Sequence, residues 1–152
     1  MSTPSAEPDD VTDADESTEA SESSIEILPP ALRDAIAARG YTDLTPVQLA
    51  VSDPSLAGQN LRISSQTGSG KTVALGIALA PHLMTGGKRG GTRVLVVTPT
   101  RELAGQVREE LAWLYAKLPV ETAVVTGGTS LSAERRALSR GPEVLVGTPG
   151  RT

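Results

Sequence analysis

Leu61-Arg62-Ile63-Ser64-Ser65-Gln66-Thr67-Gly68-Ser69-Gly70-Lys71-Thr72 joins a short alternating run to the start of a helical pattern. Leu61 to Ser64 is expected as a strand, and Thr72 to Leu83 as a helix. Gly68 and Gly70 accept backbone angles that side chains resist, so several N–H groups between the two elements can converge on one anion. The helix N-terminus adds partial positive charge at the same place. Lys71 is positioned to reach the β- and γ-phosphates of a nucleotide, and Thr72 to hold Mg²⁺ through its hydroxyl. The pattern is the phosphate-binding GxxxxGK[ST], with Ser65 where the first glycine usually stands. A bare Gly-Ser-Gly is a flexible turn. The Lys-Thr pair and the strand–helix setting make this one a nucleoside triphosphate site, with the base left open.

Strands and helices alternate outward from this loop. Arg93 to Thr98 is an apolar β-branched run, hence a buried strand. Arg101 to Leu118 is an amphipathic helix with Leu103, Val107, Leu111, Leu114 and Leu118 on one stripe. Glu121 to Val125 reads as a strand, Leu131 to Arg140 as a helix with a polar face, and Glu143 to Val146 as the last strand. Upstream, Pro30 to Gly40 carries Leu32, Ile36 and Ala37 at helical spacing. Thr45-Pro46 reads as an N-cap followed by proline in the first helical position. Strand–helix alternation with short connections gives an α/β fold, a parallel sheet flanked by helices. Ligands of such sheets sit at the carboxyl ends of the strands, where the chemically suggestive residues fall.

Composition narrows the setting. The chain has 152 residues, no cysteine and a single histidine, His82. A disulfide framework, a thiolate metal site and a histidine zinc cluster are therefore excluded. No apolar run reaches membrane-spanning length and no secretory pattern opens the chain, so a soluble, cytoplasmic protein is expected, with no membrane partner. The net charge of −4 hides a segregation. Residues 1–24 hold eight of the 18 acids and no Lys or Arg, so the remainder has ten acids against 14 bases. Residues 1–24 are expected to form a disordered acidic tail, either merely solvated or competing with nucleic acid for a basic face. The folded part is expected over 25–152. His82 is expected at the surface, and Trp113 and Tyr115 as packing residues. The glycine-rich stretch with Lys88, Arg89 and Arg93 is expected as a solvated loop.

Five stretches stand in order along the chain: Gly40-Tyr41-Thr42-Asp43-Leu44-Thr45-Pro46-Val47-Gln48, the phosphate loop, Pro99-Thr100-Arg101-Glu102-Leu103-Ala104, Thr126-Gly127-Gly128, and Thr148-Pro149-Gly150-Arg151. Together they resemble the Q, I, Ia, GG and Ib motifs of the DEAD-box ATP-dependent RNA helicases. The resemblance covers about Ile25 to Arg151 and implies a RecA-like domain. It implies that ATP meets Tyr41, Gln48 and the loop residues Ser65, Gln66, Thr67, Gly68, Ser69, Gly70, Lys71 and Thr72. It places the RNA sugar–phosphate backbone against Pro99, Thr100, Arg101, Gly127, Gly128, Thr148, Pro149, Gly150 and Arg151. Such contacts give affinity without sequence reading. The Gln48 amide can pair with both N6 and N7 of adenine, which guanine cannot match. Taken alone, Thr-Pro-x-Gln is also simply a capped helix start, and a Gly-Gly or Pro-Gly pair simply a turn.

The departures from the family pattern are Tyr41 for the usual Phe, Leu44 for Pro, and Ser65 for Ala. No aromatic stands near Ser23 to Ile25, where one normally stacks on adenine, and base–aromatic stacking contributes on the order of 1–3 kcal/mol in related settings. No Asp-Glu-Ala-Asp occurs in the 152 residues. In the family that motif follows later and positions Mg²⁺ and the attacking water, and a second RecA-like domain follows it. The chain is therefore expected to be an incomplete RecA-like domain of a longer helicase, with no ATPase of its own. The alternative is a stand-alone, non-catalytic module that binds ATP or RNA.

Overall fold

A computed structural model describes residues 23–86, 91–128 and 130–150. Its centre is three short apolar runs: β1 (Val94–Val97), β2 (Thr122–Val125) and β3 (Val144–Gly147). They form a parallel sheet in the order β1-β3-β2, with the last strand in the middle. Central parallel strands are buried on both faces and read as unbroken hydrophobic runs. Val144 and Val146 of β3 are fully buried.

The register matters more than the strand count. Val97 of β1 and Val125 of β2 both lie opposite Gly147 of β3. The three strands therefore end level, and the segments after them emerge along one rim.

Helices pack on the sheet and on one another. They are α1 (Pro30–Ala38), α2 (Pro46–Val51), α3 (Lys71–Met84), α4 (Arg101–Leu114) and α5 (Leu131–Leu138), with 3₁₀ turns at Ser24–Ile27 and Pro54–Leu56. Leu32 and Ile36 of α1, Ile77 and Leu83 of α3, and Val107, Leu111 and Leu114 of α4 share one core with Val94, Val144 and Val146. Gly76 lets α3 and α4 approach closely, since a methyl group there would come within 2.4 Å of Leu114 Cδ2. The buried Tyr115 hydroxyl donates to the Gly76 carbonyl at 2.7 Å and pins the same contact.

Three expectations need correction. Leu61–Ser64 is not a strand. A parallel strand exists only through its neighbours' hydrogen bonds. Among the described residues no strand pairs with this segment, nor with the β1 edge away from β3. Leu95 and Val97 on one face of β1 are each 53% exposed. Second, α4 stops at Leu114, not Leu118. Pro119 disfavours helical angles at the residue before it, and the chain turns at Tyr115 with Leu118 N donating to Tyr115 O. Third, Leu103 is not core: it is 38% exposed and faces the cavity described below.

The tail expectation for residues 1–22 and the loop residues Lys88 and Arg89 lie outside the described residues. Ser24 already belongs to a 3₁₀ turn, one residue ahead of the expected start of order. Trp113 and Tyr115 pack as expected, and His82 is exposed.

Candidate functional site

The phosphate loop is shaped by its two glycines and closed by its own lysine. Gly68 and Gly70 have φ of +79° and +82°, the left-handed region where glycine carries no steric penalty. Lys71 Nζ donates to the carbonyls of Ser65 and Gln66, at 2.6 Å each, drawing the loop into a ring. The Ser65 and Ser69 hydroxyls share a hydrogen bond of 2.6 Å across it. The first main-chain bond of α3 runs from Ala74 N to Gly70 O. The amides of Lys71, Thr72 and Val73 thus have no main-chain partner among the described residues, the usual state of a helix start and a ready set of donors for an anion.

The segment around α2 clamps this loop from the side. Thr45 Oγ1 donates to Ser69 O at 2.8 Å, and Gln48 Nε2 donates to Gly70 O at 3.3 Å. Gln48 Oε1 accepts from Thr45 N at 3.0 Å. The Gln48 side chain is therefore held at both ends, and the residue is only 8% exposed. A primary amide offers two donors and two acceptor lone pairs, so each end keeps one place for a further partner. Both readings of Gln48 meet here: it belongs to the capped helix start and it touches the phosphate loop.

A cavity of about 840 Å³ opens beside the clamp, lined by Gln48, Gly68, Lys71 and Thr72 and also by Tyr41 and Trp113. Tyr41 is 58% exposed, its ring available to a ligand. The Arg39 guanidinium lies 4.5 Å from the centre of the Trp113 ring, and Trp113 Nε1 donates to Glu110 at 3.0 Å. The sequence presents Trp113 as a packing residue and Thr45 as an N-cap, and gives no sign of Arg39; only the tertiary approach of α1, α2 and α4 brings them here. At Ser23 to Ile25, where no aromatic stands, Ser24 Oγ accepts from Leu44 N at 2.7 Å, and the Ser23 hydroxyl donates to the Thr42 carbonyl. The Ser24 main-chain N–H, and after it the Thr42 hydroxyl, hold the Asp43 carboxyl below its ordinary range.

The second cluster lies on the rim where the three strands end. Thr100 caps α4, its hydroxyl accepting from Leu103 N at 3.2 Å, so Pro99, Thr100 and Arg101 project from a helix start. Arg101 lies flat against Gly128: a methyl group at Gly128 would meet its Nη1 at 2.3 Å. No acid pairs with Arg101 among the described residues. Thr148 is buried and its N–H donates to Val125 O at 3.3 Å, while Pro149 and Gly150 are exposed. The structure thus brings Arg101 and Gly128 into contact, with Gly127 and the Thr148–Gly150 turn on the neighbouring strand ends. Arg151 lies outside the described residues.

The sequence model of the DEAD/DEAH box helicase family matches residues 45–152. The chain is 44% identical over 149 residues to the chloroplastic DEAD-box ATP-dependent RNA helicase 3A of Zea mays, covering 91% of this chain and 20% of that protein. It is 40% identical over 131 residues to the ATP-dependent RNA helicase DbpA of Escherichia coli (strain K12), covering 85% of this chain and 28% of that one. Among solved structures, the RNA-helicase Prp28 from Chaetomium thermophilum bound to ADP superposes with a TM-score of 0.72 at 34% identity, over 81% of this chain and 31% of that chain. The chain spans between a fifth and a third of the length of these proteins. With a matching family model over most of its length and a structural relative of the same family, this chain belongs to the DEAD/DEAH box helicases.

Proposed function

We propose that this chain is the ATP-binding and RNA-backbone-binding part of an ATP-dependent RNA helicase. The observation that carries the proposal is the phosphate loop itself: three amides at the start of α3 with no main-chain partner among the described residues, a lysine folded over the loop, and a glutamine clamp lining the cavity. Lys71 leaves the Ser65 and Gln66 carbonyls for the β- and γ-phosphates. The Lys71, Thr72 and Val73 amides supply the remaining donors. Gln48 offers its spare donor and acceptor to the adenine edge, and Tyr41 its exposed ring to the adenine face.

The Thr72 hydroxyl makes no hydrogen bond among the described residues and lines the cavity, which fits a ligand of Mg²⁺. No group of three or more His, Asp or Glu that could hold a metal occurs among those residues, so the ion would arrive with the triphosphate. Mg²⁺ would neutralise phosphate charge there. RNA phosphates would lie along the rim at Thr100, Arg101, Gly128 and Gly150, read for shape and charge. In the whole protein, ATP and RNA held together would couple hydrolysis to local loss of base pairs. These 152 residues alone would bind without turnover, since in-line attack on the γ-phosphate needs the acidic Asp-Glu-Ala-Asp motif, which does not occur in them. Among the described residues no helix is long and apolar enough to cross a membrane. A cytoplasmic setting is part of the proposal, although the maize relative is named as chloroplastic.

The test is Lys71→Ala with a fluorescent ATP analogue. Affinity should fall about 100-fold, the order expected when charge-assisted contacts of about 3 kcal/mol are lost. RNA affinity should stay within about twofold, because a rim built without Lys71 loses no phosphate contact. A variant that binds ATP as tightly as the wild type would remove the phosphate-loop assignment.

A further inference from the structure

Helix α5 has one buried residue, and that residue is an acid, Glu134, at 9% exposure. Its apolar residues Leu131 and Leu138 face solvent. A helix normally docks through an apolar stripe, so an acid in this position calls for a partner. The main chain supplies one: Glu134 Oε1 accepts from Thr126 N at 3.1 Å. Thr126 is itself buried and directly precedes Gly127-Gly128. Gly128 turns with φ of +88°, and Arg101 lies on its exposed backbone. The carboxylate therefore stands at the root of the turn that seats the one motif arginine of the described rim.

We infer that Glu134 is a positioning residue of the RNA-backbone site: it fixes the Thr126–Gly128 turn, and through that turn the place of Arg101. The inference rests on the reading of the rim as an RNA-binding surface. A buried amide that loses its acceptor is costly, so the turn would move to find another one, and Gly128 would move with it. The hydrogen bond needs an acceptor oxygen and not a charge. Glutamine, which keeps that oxygen, should serve, whereas alanine should not.

The experiment compares Glu134→Ala, Glu134→Gln, Arg101→Ala and the Glu134→Ala/Arg101→Ala pair in the full 152-residue chain. It uses a fluorescent uridine oligoribonucleotide and, as fold control, the ATP analogue. Glu134→Ala should weaken RNA binding about five- to tenfold, the order of one orphaned buried donor. It should leave ATP affinity unchanged, and Glu134→Gln should restore RNA binding. In the Arg101→Ala background the alanine at 134 should add nothing, because a seat without its occupant has no effect on RNA. Full additivity, or wild-type RNA affinity in Glu134→Ala, would overturn the inference. Should the wild type itself bind no RNA, the rim reading falls. The positioning role is then decided by amide exchange: Glu134→Ala should speed exchange at Thr126 and Gly128, Glu134→Gln should not, and equal exchange in all three proteins refutes it.

Discussion

A methyl group added at Gly70 would meet the Gln48 amide at 2.3 Å, and one added at Gly128 would meet the Arg101 guanidinium at the same 2.3 Å. The two collisions differ in what has to move. Gln48 is buried and bonded at both ends, to Thr45 N and to Gly70 O. Arg101 is exposed and has no acidic partner among the described residues. Around Gly70 the side chain and the loop lock each other before any ligand arrives, which lowers the ordering cost of binding. Around Gly128 a bare backbone seats a cation at the end of a flexible side chain, which in the proposed reading is free to meet a phosphate. A rigid cradle suits a small ligand of fixed shape, and a seated but movable arginine suits a polymer whose sequence and path vary.

Gly70→Ala should produce the largest effect. The residue would be held at φ near +82° with a Cβ, a strain of about 1–2 kcal/mol. Gln48 would also be driven off both partners, at about 1–3 kcal/mol for the groups left unpaired. ATP affinity should drop at least about 100-fold, with RNA binding nearly intact, as the two losses fall on one ligand only. Titration of each ligand against the variant checks this. A comparable loss of RNA affinity would erase the distinction between the two regions.

Gly128→Ala should give the mirror result on a smaller scale. The backbone strain is similar, about 1–2 kcal/mol. The clash, however, is with the end of a flexible side chain, which can step aside at little cost. RNA affinity should fall about five- to tenfold through the displaced Arg101, with a weaker dependence on salt as one phosphate contact is lost. ATP affinity should not change. Binding isotherms at two salt concentrations measure both quantities. An unchanged salt slope would mean that Arg101 does not touch phosphate from this seat.

Much of this contrast was visible in the residues before any coordinates. Arg93–Thr98, Glu121–Val125 and Glu143–Val146 read as strands of a parallel sheet from their β-branched residues, but the burial expected of the first holds for Val94 and not for Leu95 and Val97, which are exposed. The Gly-Ser-Gly-Lys-Thr turn reads as a phosphate loop because its chemistry is local. Leu61–Ser64 misled, since a parallel strand is a property of its neighbours as much as of its own side chains. Leu103 sits on the helical stripe of Val107 and Leu111, yet only the approach of the phosphate loop decides that it faces a cavity. The Gly128–Arg101 contact joins residues 27 positions apart, and Glu134 is an acid on a polar helix face. Periodicity cannot flag either, because each owes its role to a main-chain group brought in from another strand end.

Tyr115 joins the two regions and gives the smallest effect. It follows α4, the helix of the rim, and donates to Gly76 of α3, the helix of the phosphate loop. Tyr115→Phe removes this bond while keeping the ring, and should cost about 1 kcal/mol. Neither ligand should notice at neutral pH, since the phenol touches neither site. Burial holds the phenol above its ordinary value near 10, because the interior disfavours the phenolate. Its contribution to stability is therefore complete below the unfolded value of about 10 and is lost as pH climbs from there toward the higher folded value. Denaturant titrations between about pH 8 and about pH 11 should show the wild type losing stability more steeply than Tyr115→Phe, so the gap between them narrows as the tyrosine ionises. A constant gap across that range would mean the hydroxyl reaches water. The two helices would then be held by Leu111 and Leu114 against Gly76, with the pin contributing nothing.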